Sequence, residues 1–268
     1  MSQTAVVDGA PGSGEDALGH TGSVATRWLG VVVLIGAVAL LAFGLVFSDP
    51  DVIQGDAVRL MYVHVPSAIC MYLGVGALGL GSAVWLKRQT EFWDLLALAG
   101  AEIGALFTAL TLLTGMLWGR PTWGVFWVWD ARLTSTALLQ VMLIGYLALR
   151  KLPGDATVRA RRASITGLVI VLDLPLIHYS VEWWRTLHQG ATISRLDPQI
   201  DGLMLFSLML GIVVGALTFV WLMIHRFRLA HLEEQVEDRG LDAALDARRA
   251  EADRPPPAGD TPLVRTSP

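Results

Sequence analysis

Charge is scarce in this chain. Asp, Glu, Lys and Arg make up 16% of its 268 residues, against 53% hydrophobic residues, a balance foreign to an ordinary soluble domain of this length. Cysteine is almost missing. Cys70 stands alone in an apolar run, which excludes an internal disulfide, a thiolate metal cluster and a CxxC redox pair. A basic stripe is also lacking: the formal net charge is −4, so the electrostatic footprint of a nucleic-acid binder is absent. No basic segment opens the chain in the manner of a cleavable signal peptide. The first two dozen residues, rich in Gly, Ala, Ser and Asp, read as a disordered tail. There is neither a repeat of solenoid length nor a pair of interrupted helices in corresponding halves, which argues against an inverted-repeat transporter.

What is abundant is apolar runs of the length a bilayer demands, roughly 20 residues for a hydrocarbon core of about 30 Å. Six are placed near Trp28 to Phe47, Met61 to Leu86, Leu95 to Leu117, Leu133 to Leu149, Ser164 to His178 and Leu203 to Ile224. The expected fold class is an all-α polytopic membrane protein. The fifth run is short and contains Asp173 and Pro175; a carboxylate at that depth is expected to face the bundle and find a partner. Lysine and arginine near the span ends set the orientation. With the N-terminus inside, Arg27, Lys87, Arg88, Arg150, Lys151, Arg159, Arg161, Arg162, Arg226 and Arg228 are cytoplasmic, and Arg59, Arg120, Arg132, Arg185 and Arg195 are external. Both termini are then cytoplasmic. The domain reading is a disordered tail over 1–26, a six-span membrane domain over 27–225, and over 226–268 a cytoplasmic helix followed by the Pro-rich RPPPAGDTP.

Three segments face outward in this topology: Ser48 to Leu60, Trp118 to Arg132 and about Tyr179 to Gly202. Of ten tryptophans, Trp118, Trp123, Trp127 and Trp129 fall in the second, and Trp183 and Trp184 open the third. For a pair such as Trp183 and Trp184, interfacial anchoring and a part in ligand binding are equally good readings. Four indoles and Phe126 in about a dozen residues make more aromatic surface than anchoring needs, and suit a large planar apolar ligand. His64, His178 and His188 lie at the outer ends of spans or in outer loops, whereas His20, His225 and His231 are in the tails. Each is by itself an ordinary interfacial hydrogen-bonder. Histidines from two outer segments are also what the iron of a six-coordinate haem requires from opposite faces. Arg120, Arg132 and Arg185 suit carboxylate pairing and, equally, lipid headgroups. Asp130 reads either as an acceptor holding a neighbouring arginine or indole, or as the N-cap of the fourth span. The residues by themselves lead to an outward-facing site for a planar aromatic or metalloporphyrin ligand.

The segment WGRPTWGVFWVWDARLT resembles the tryptophan-rich WWD signature of the haem-handling proteins of cytochrome c maturation, and within that superfamily the haem exporter protein C (CcmC) family. The resemblance runs from about Arg27 to Ile224 and includes YVHVPSA, LTGMLWG and LPLIHYSVEWWRTLHQGAT. It implies a WWD loop on the periplasmic face of the cell inner membrane, over 118–132, holding haem b transiently. The metal ligands it implies are His64 and His188, with His178, Trp183 and Trp184 shaping the third loop. The implied partners are a membrane-tethered haem chaperone of the CcmE type, ABC transporter subunits of the CcmA and CcmB types, and a small single-span subunit of the CcmD type. One departure stands out: many relatives read WGTWWVWDARLT, whereas Val125 and Phe126 stand here, and Phe126 keeps a stacking face but loses the indole N–H donor. The function expected is haem holding and delivery without a catalytic side chain. Two other classes remain open. A b-type membrane cytochrome would carry its histidines within the spans, and a small-molecule transporter would place charge at mid-membrane, where Glu102 and Asp173 are isolated candidates.

Overall fold

A computed structural model of the chain describes residues 22–188, 200 and 202–252. Among these residues the secondary structure is helical, apart from a single antiparallel bridge between Asp51 and Gly55. The helices are α1 (Val24–Ala42, prolonged by a π turn over Phe43–Phe47), α2 (Met61–Arg88), α3 (Glu91–Trp123), α4 (Ala131–Arg150), α5 (Ala156–Val171), α6 (Asp173–Trp183) and α7 (Gly202–Ala252). They supply six stretches long and apolar enough to cross a membrane, α5 and α6 together forming the fifth. The chain is a multi-pass membrane protein. The residues up to Ala230 form one compact unit and those from His231 on a second, helical as far as Ala252. The first 21 residues and the Pro-rich tail lie outside the described residues.

The spans begin earlier than their apolar runs because polar residues wind the first turn. Ser23 accepts from Thr26 N and Thr26 Oγ1 accepts from Ser23 N, a reciprocal cap that starts α1 ahead of Trp28. The fifth span occupies Ala156–Trp183, well beyond Ser164 to His178, since Arg159, Arg161 and Arg162 belong to the first turns of α5. It breaks at Leu172, with Asp173 opening α6. Asp173 is buried, as expected, but its Oδ2 has no hydrogen-bond partner among the described residues.

Small residues set the core of the bundle. A Cβ on Gly74 would lie 2.6 Å from Gly104 Cα, and one on Gly81 would lie 2.7 Å from Ala97 N. Only hydrogen in those places lets the α2 and α3 backbones touch, which is how helices associate where no hydrophobic effect separates lipid from side chain. Pro66, inside α2, is received by α7, where a Cβ on Gly215 would meet the Pro66 ring at 3.0 Å. Cys70 Sγ donates to the Gly215 carbonyl beside it at 3.4 Å. At the end of the bundle where α2 finishes, Arg150 of α4 makes a bidentate pair with Asp94 of α3 at 2.7 and 2.6 Å. Glu102 is not isolated: Arg226 of α7 pairs with it. That pairing removes it as a free mid-membrane charge. α1 is the most lipid-exposed span, tied at one end by Trp221 Nε1 donating to Thr26 O and at the other by Ser48 and Tyr62, whose hydroxyls lie 2.5 Å apart.

Candidate functional site: a pocket at the tryptophan-rich end of the bundle

The second outer segment is less of a loop than its glycine and proline suggest. α3 winds on through Trp118, Gly119, Arg120, Pro121, Thr122 and Trp123, and stops at Gly124, whose φ of +79° is left-handed. Pro121 forfeits one helical hydrogen bond near the end of the helix, where the loss is small. Residues 124–130 make the connection, and Asp130 ends it by accepting from Leu133 N at 2.8 Å as the N-cap of α4. Its other oxygen accepts from Leu187 N at 3.3 Å. Asp130 therefore caps α4 and also tethers the third outer segment.

Winding Trp118 and Trp123 into α3 lines them up with the residues a turn or two earlier. Thr111, Gly115, Trp118 and Thr122 share a face of α3 at spacings of three and four. That face, with Gln54, α2 residues His64, Met71 and Tyr72, and Trp127, Arg132, Ile177 and His188, lines a pocket whose empty space, open mouth included, is about 900 Å³. Trp118 is held by donating from Nε1 to Gln54 Oε1 at 2.8 Å, and its indole meets His64 edge to face at 5.7 Å. Gly115 makes room for His64: a Cβ there would lie 3.0 Å from the ring.

The two histidines singled out in the sequence come together. His64 and His188, on α2 and in the third outer segment, have ring centroids 6.4 Å apart with planes inclined by 38°. His64 is buried, and its Nδ1 lies 3.1 Å from Thr114 Oγ1. Thr114 donates its own hydroxyl to Leu110 O at 2.7 Å, so its oxygen accepts the Nδ1 proton of His64 and Nε2 keeps its lone pair. Arg132 donates to Ser180 Oγ (3.2 Å), to His178 O (2.9 Å) and to His188 Nδ1 (3.3 Å). None of the three is a carboxylate.

The remaining residues expected at the site are placed as follows. Trp123 lines the pocket, 6.2 Å from the His188 ring, and Trp127 lines it too. Trp129, 82% exposed, stands edge-on to Trp127 at 5.5 Å and faces away. Phe126 and Arg120 are exposed and occupied with each other: the guanidinium sits 5.6 Å over the phenyl ring and donates to Gly124 O at 2.6 Å. Trp183 and Trp184 are exposed, Trp183 stacking on Tyr179 at 5.3 Å, and Arg185 is exposed beside them. His178 lies outside the pocket, with its ring against Tyr72 at 6.2 Å. Sequence reasoning missed Gln54, Thr114 and Tyr72. The spacing from Thr111 through Gly115 to Trp118 was the available signal for the α3 wall.

Six apolar spans define a polytopic membrane protein, and an aromatic, histidine-bearing pocket lies at one end of its bundle. A family model described as Heme exporter protein C matches residues 14–241. The chain belongs to that family. It is 42% identical over 198 residues to the Heme exporter protein C of Haemophilus influenzae, an alignment covering 74% of this chain and 80% of the relative. With the protein of the same name from Bradyrhizobium diazoefficiens the identity is 40% over 213 residues, covering 78% and 80%. A putative cytochrome c biosynthesis ccmC-like mitochondrial protein of Arabidopsis thaliana is 37% identical over 193 residues, covering 72% of each chain.

Proposed function

We propose that the pocket holds haem as cargo for cytochrome c maturation, at the external face of the inner membrane, and orients it for delivery to a membrane-tethered chaperone. The observation that carries this reading is the His64–His188 pair at 6.4 Å, opening on an apolar, indole-lined pocket. Two metal–nitrogen bonds of about 2 Å each, plus the step from each nitrogen to its ring centre, set the centroids of imidazoles sharing one metal about 6 Å apart. The residues fit the cargo in three further respects: Trp118, Trp123 and Trp127 offer ring faces and edges, His64, its Nδ1 on Thr114, presents a lone pair on Nε2, and Arg132 offers a guanidinium that, among the described residues, is hydrogen-bonded to no carboxylate. Membership of the Heme exporter protein C family supports the same cargo. Filling both axial positions keeps dioxygen off the iron, which suits holding and not oxygen activation.

The external placement rests on the excess of Lys and Arg at the opposite end, above all from Arg150 to Arg162. An ABC transporter and a small single-span subunit are the other proposed partners, and no side chain is assigned a catalytic step. The test is the visible absorption spectrum of detergent-purified protein loaded with haem. A six-coordinate low-spin spectrum that is lost in both His64→Ala and His188→Ala is the expected result. An identical spectrum in either variant rejects that histidine as a ligand.

A further inference from the structure

Two histidines converge on one space, yet their neighbours prepare them in opposite ways. Thr114 spends its hydroxyl proton on Leu110 O and accepts from His64 Nδ1, so His64 already presents a lone pair on Nε2. The neighbour of His188 Nδ1 is Arg132 Nη1, at 3.3 Å. A guanidinium has five donors and no acceptor, so in this contact Nδ1 must supply the lone pair and the ring proton sits on Nε2.

We infer that Arg132 withholds His188 from the iron until a carboxylate of the cargo draws its guanidinium away, so that recognition of the porphyrin carboxylates controls formation of the second axial bond. The logic holds for either ring nitrogen. A metal on Nε2 needs the ring proton on Nδ1, where it would face the Arg132 N–H donor to donor. A metal on Nδ1 takes the very lone pair that Arg132 occupies. In both cases the Arg132 N–H must turn to another acceptor, and a propionate is an acceptor that the cargo itself brings.

The setting of Arg132 suits such a swing. It lines the pocket, and its other two hydrogen bonds, to Ser180 Oγ at 3.2 Å and His178 O at 2.9 Å, run to α6. Those two bonds are made by Nε and Nη2, while the contact to His188, the longest of the three, is made by Nη1 and is the first to be given up as the guanidinium turns. Asp130 holds the neighbouring segment through Leu187 N, so His188 stays within reach when Arg132 lets go. Binding is then ordered, with His64 engaging first and His188 second. An iron porphyrin without free carboxylates is held by His64 alone.

This inference rests on the proposed haem site, and two measurements keep its failure separate from failure of that reading. The first uses the haem-free protein with ¹⁵N-labelled histidine. Its NMR spectrum should show His64 protonated on Nδ1 and His188 protonated on Nε2, with the His188 signals assigned by their loss in His188→Gln. Finding His188 protonated on Nδ1 overturns the inference without touching the haem reading. The second compares iron protoporphyrin with its dimethyl ester in the full-length protein. Haem should give the six-coordinate low-spin spectrum and the ester a five-coordinate high-spin one. In Arg132→Met, which removes the restraint, the ester should become six-coordinate. Equal six-coordinate spectra for haem and ester in the unsubstituted protein overturn the inference while leaving the site intact; a haem spectrum indifferent to His64→Ala rejects the site itself.

Discussion

At the scale of single residues, the pocket depends on what is small or already partnered as much as on its ligands. Gly115 leaves the space in which the His64 ring sits, and it lines the pocket. Gly115→Leu keeps both histidines yet fills that space, so haem recovered with the purified protein should fall at least as far as in His64→Ala. Haem content equal to that of the unsubstituted protein would place the cargo elsewhere. His178 is the control. Its ring lies outside the pocket, against Tyr179 and the pocket residue Tyr72, and its backbone carbonyl accepts from Arg132. His178→Ala preserves that carbonyl, so the axial-ligand spectrum should be unchanged; a lost six-coordinate spectrum would mean that the ligand pair has been misassigned. Asp130 shows how far sequence reaches at this scale. Its position before ARLT pointed to a cap, which it is. Its second bond, to Leu187 N, joins residues 57 apart, and no local pattern encodes such a pairing.

At the scale of elements, the six spans were legible because the hydropathy run that a bilayer requires is long and local. Their ends were not. Ser23 with Thr26, and the arginines of α5, extend helices beyond the apolar stretch, while Gly119 and Pro121 read as loop residues although α3 continues through them. Helix continues until a left-handed residue stops it, and Gly124 is that residue. The Arg226–Glu102 pair likewise escaped notice, since its partners stand 124 residues apart. The α2–α3 contact carries a testable cost. Gly74→Ala drives a methyl to within 2.6 Å of Gly104 Cα, which is backbone and does not rotate aside. Overpacking of this kind costs about 1–3 kcal/mol, so the melting temperature in detergent should drop clearly. Gly145→Ala on the exposed face of α4, where nothing lies within 4 Å of the new methyl, should leave the melting temperature unchanged or slightly raised. Equal melting temperatures for the two variants would mean that the helices are not packed backbone to backbone.

At the scale of the whole molecule, six crossings put the start of α1 and the end of the sixth span at one face of the bilayer and the pocket at the other. In the topology proposed from the charge distribution, the pocket face lies outside. Reporter fusions at Gly124 should be active outside the membrane, and fusions at Asp155, between α4 and α5, active inside. Activity of the Gly124 fusion in the cytoplasm would remove the site from the compartment where the proposed chaperone receives haem. Delivery makes a stricter demand than holding. Trp127 walls the pocket, Trp129 packs edge-on against Trp127, and Asp130 ties the segment bearing His188 to α4. Losing one aromatic contact costs about 0.5–1.5 kcal/mol beyond area burial, enough to lower occupancy without abolishing it, whereas misplacing reacting groups by about 1 Å can cost about a hundredfold in rate. The measurement that tests the central claim most directly is covalent haem on the co-expressed chaperone, quantified beside haem bound to this protein in the same membranes, for the combined Trp127→Ala, Trp129→Ala and Asp130→Ala variant. Chaperone loading should fall well below the fraction of haem still bound; normal loading would contradict the assignment of this pocket as the platform from which haem is delivered.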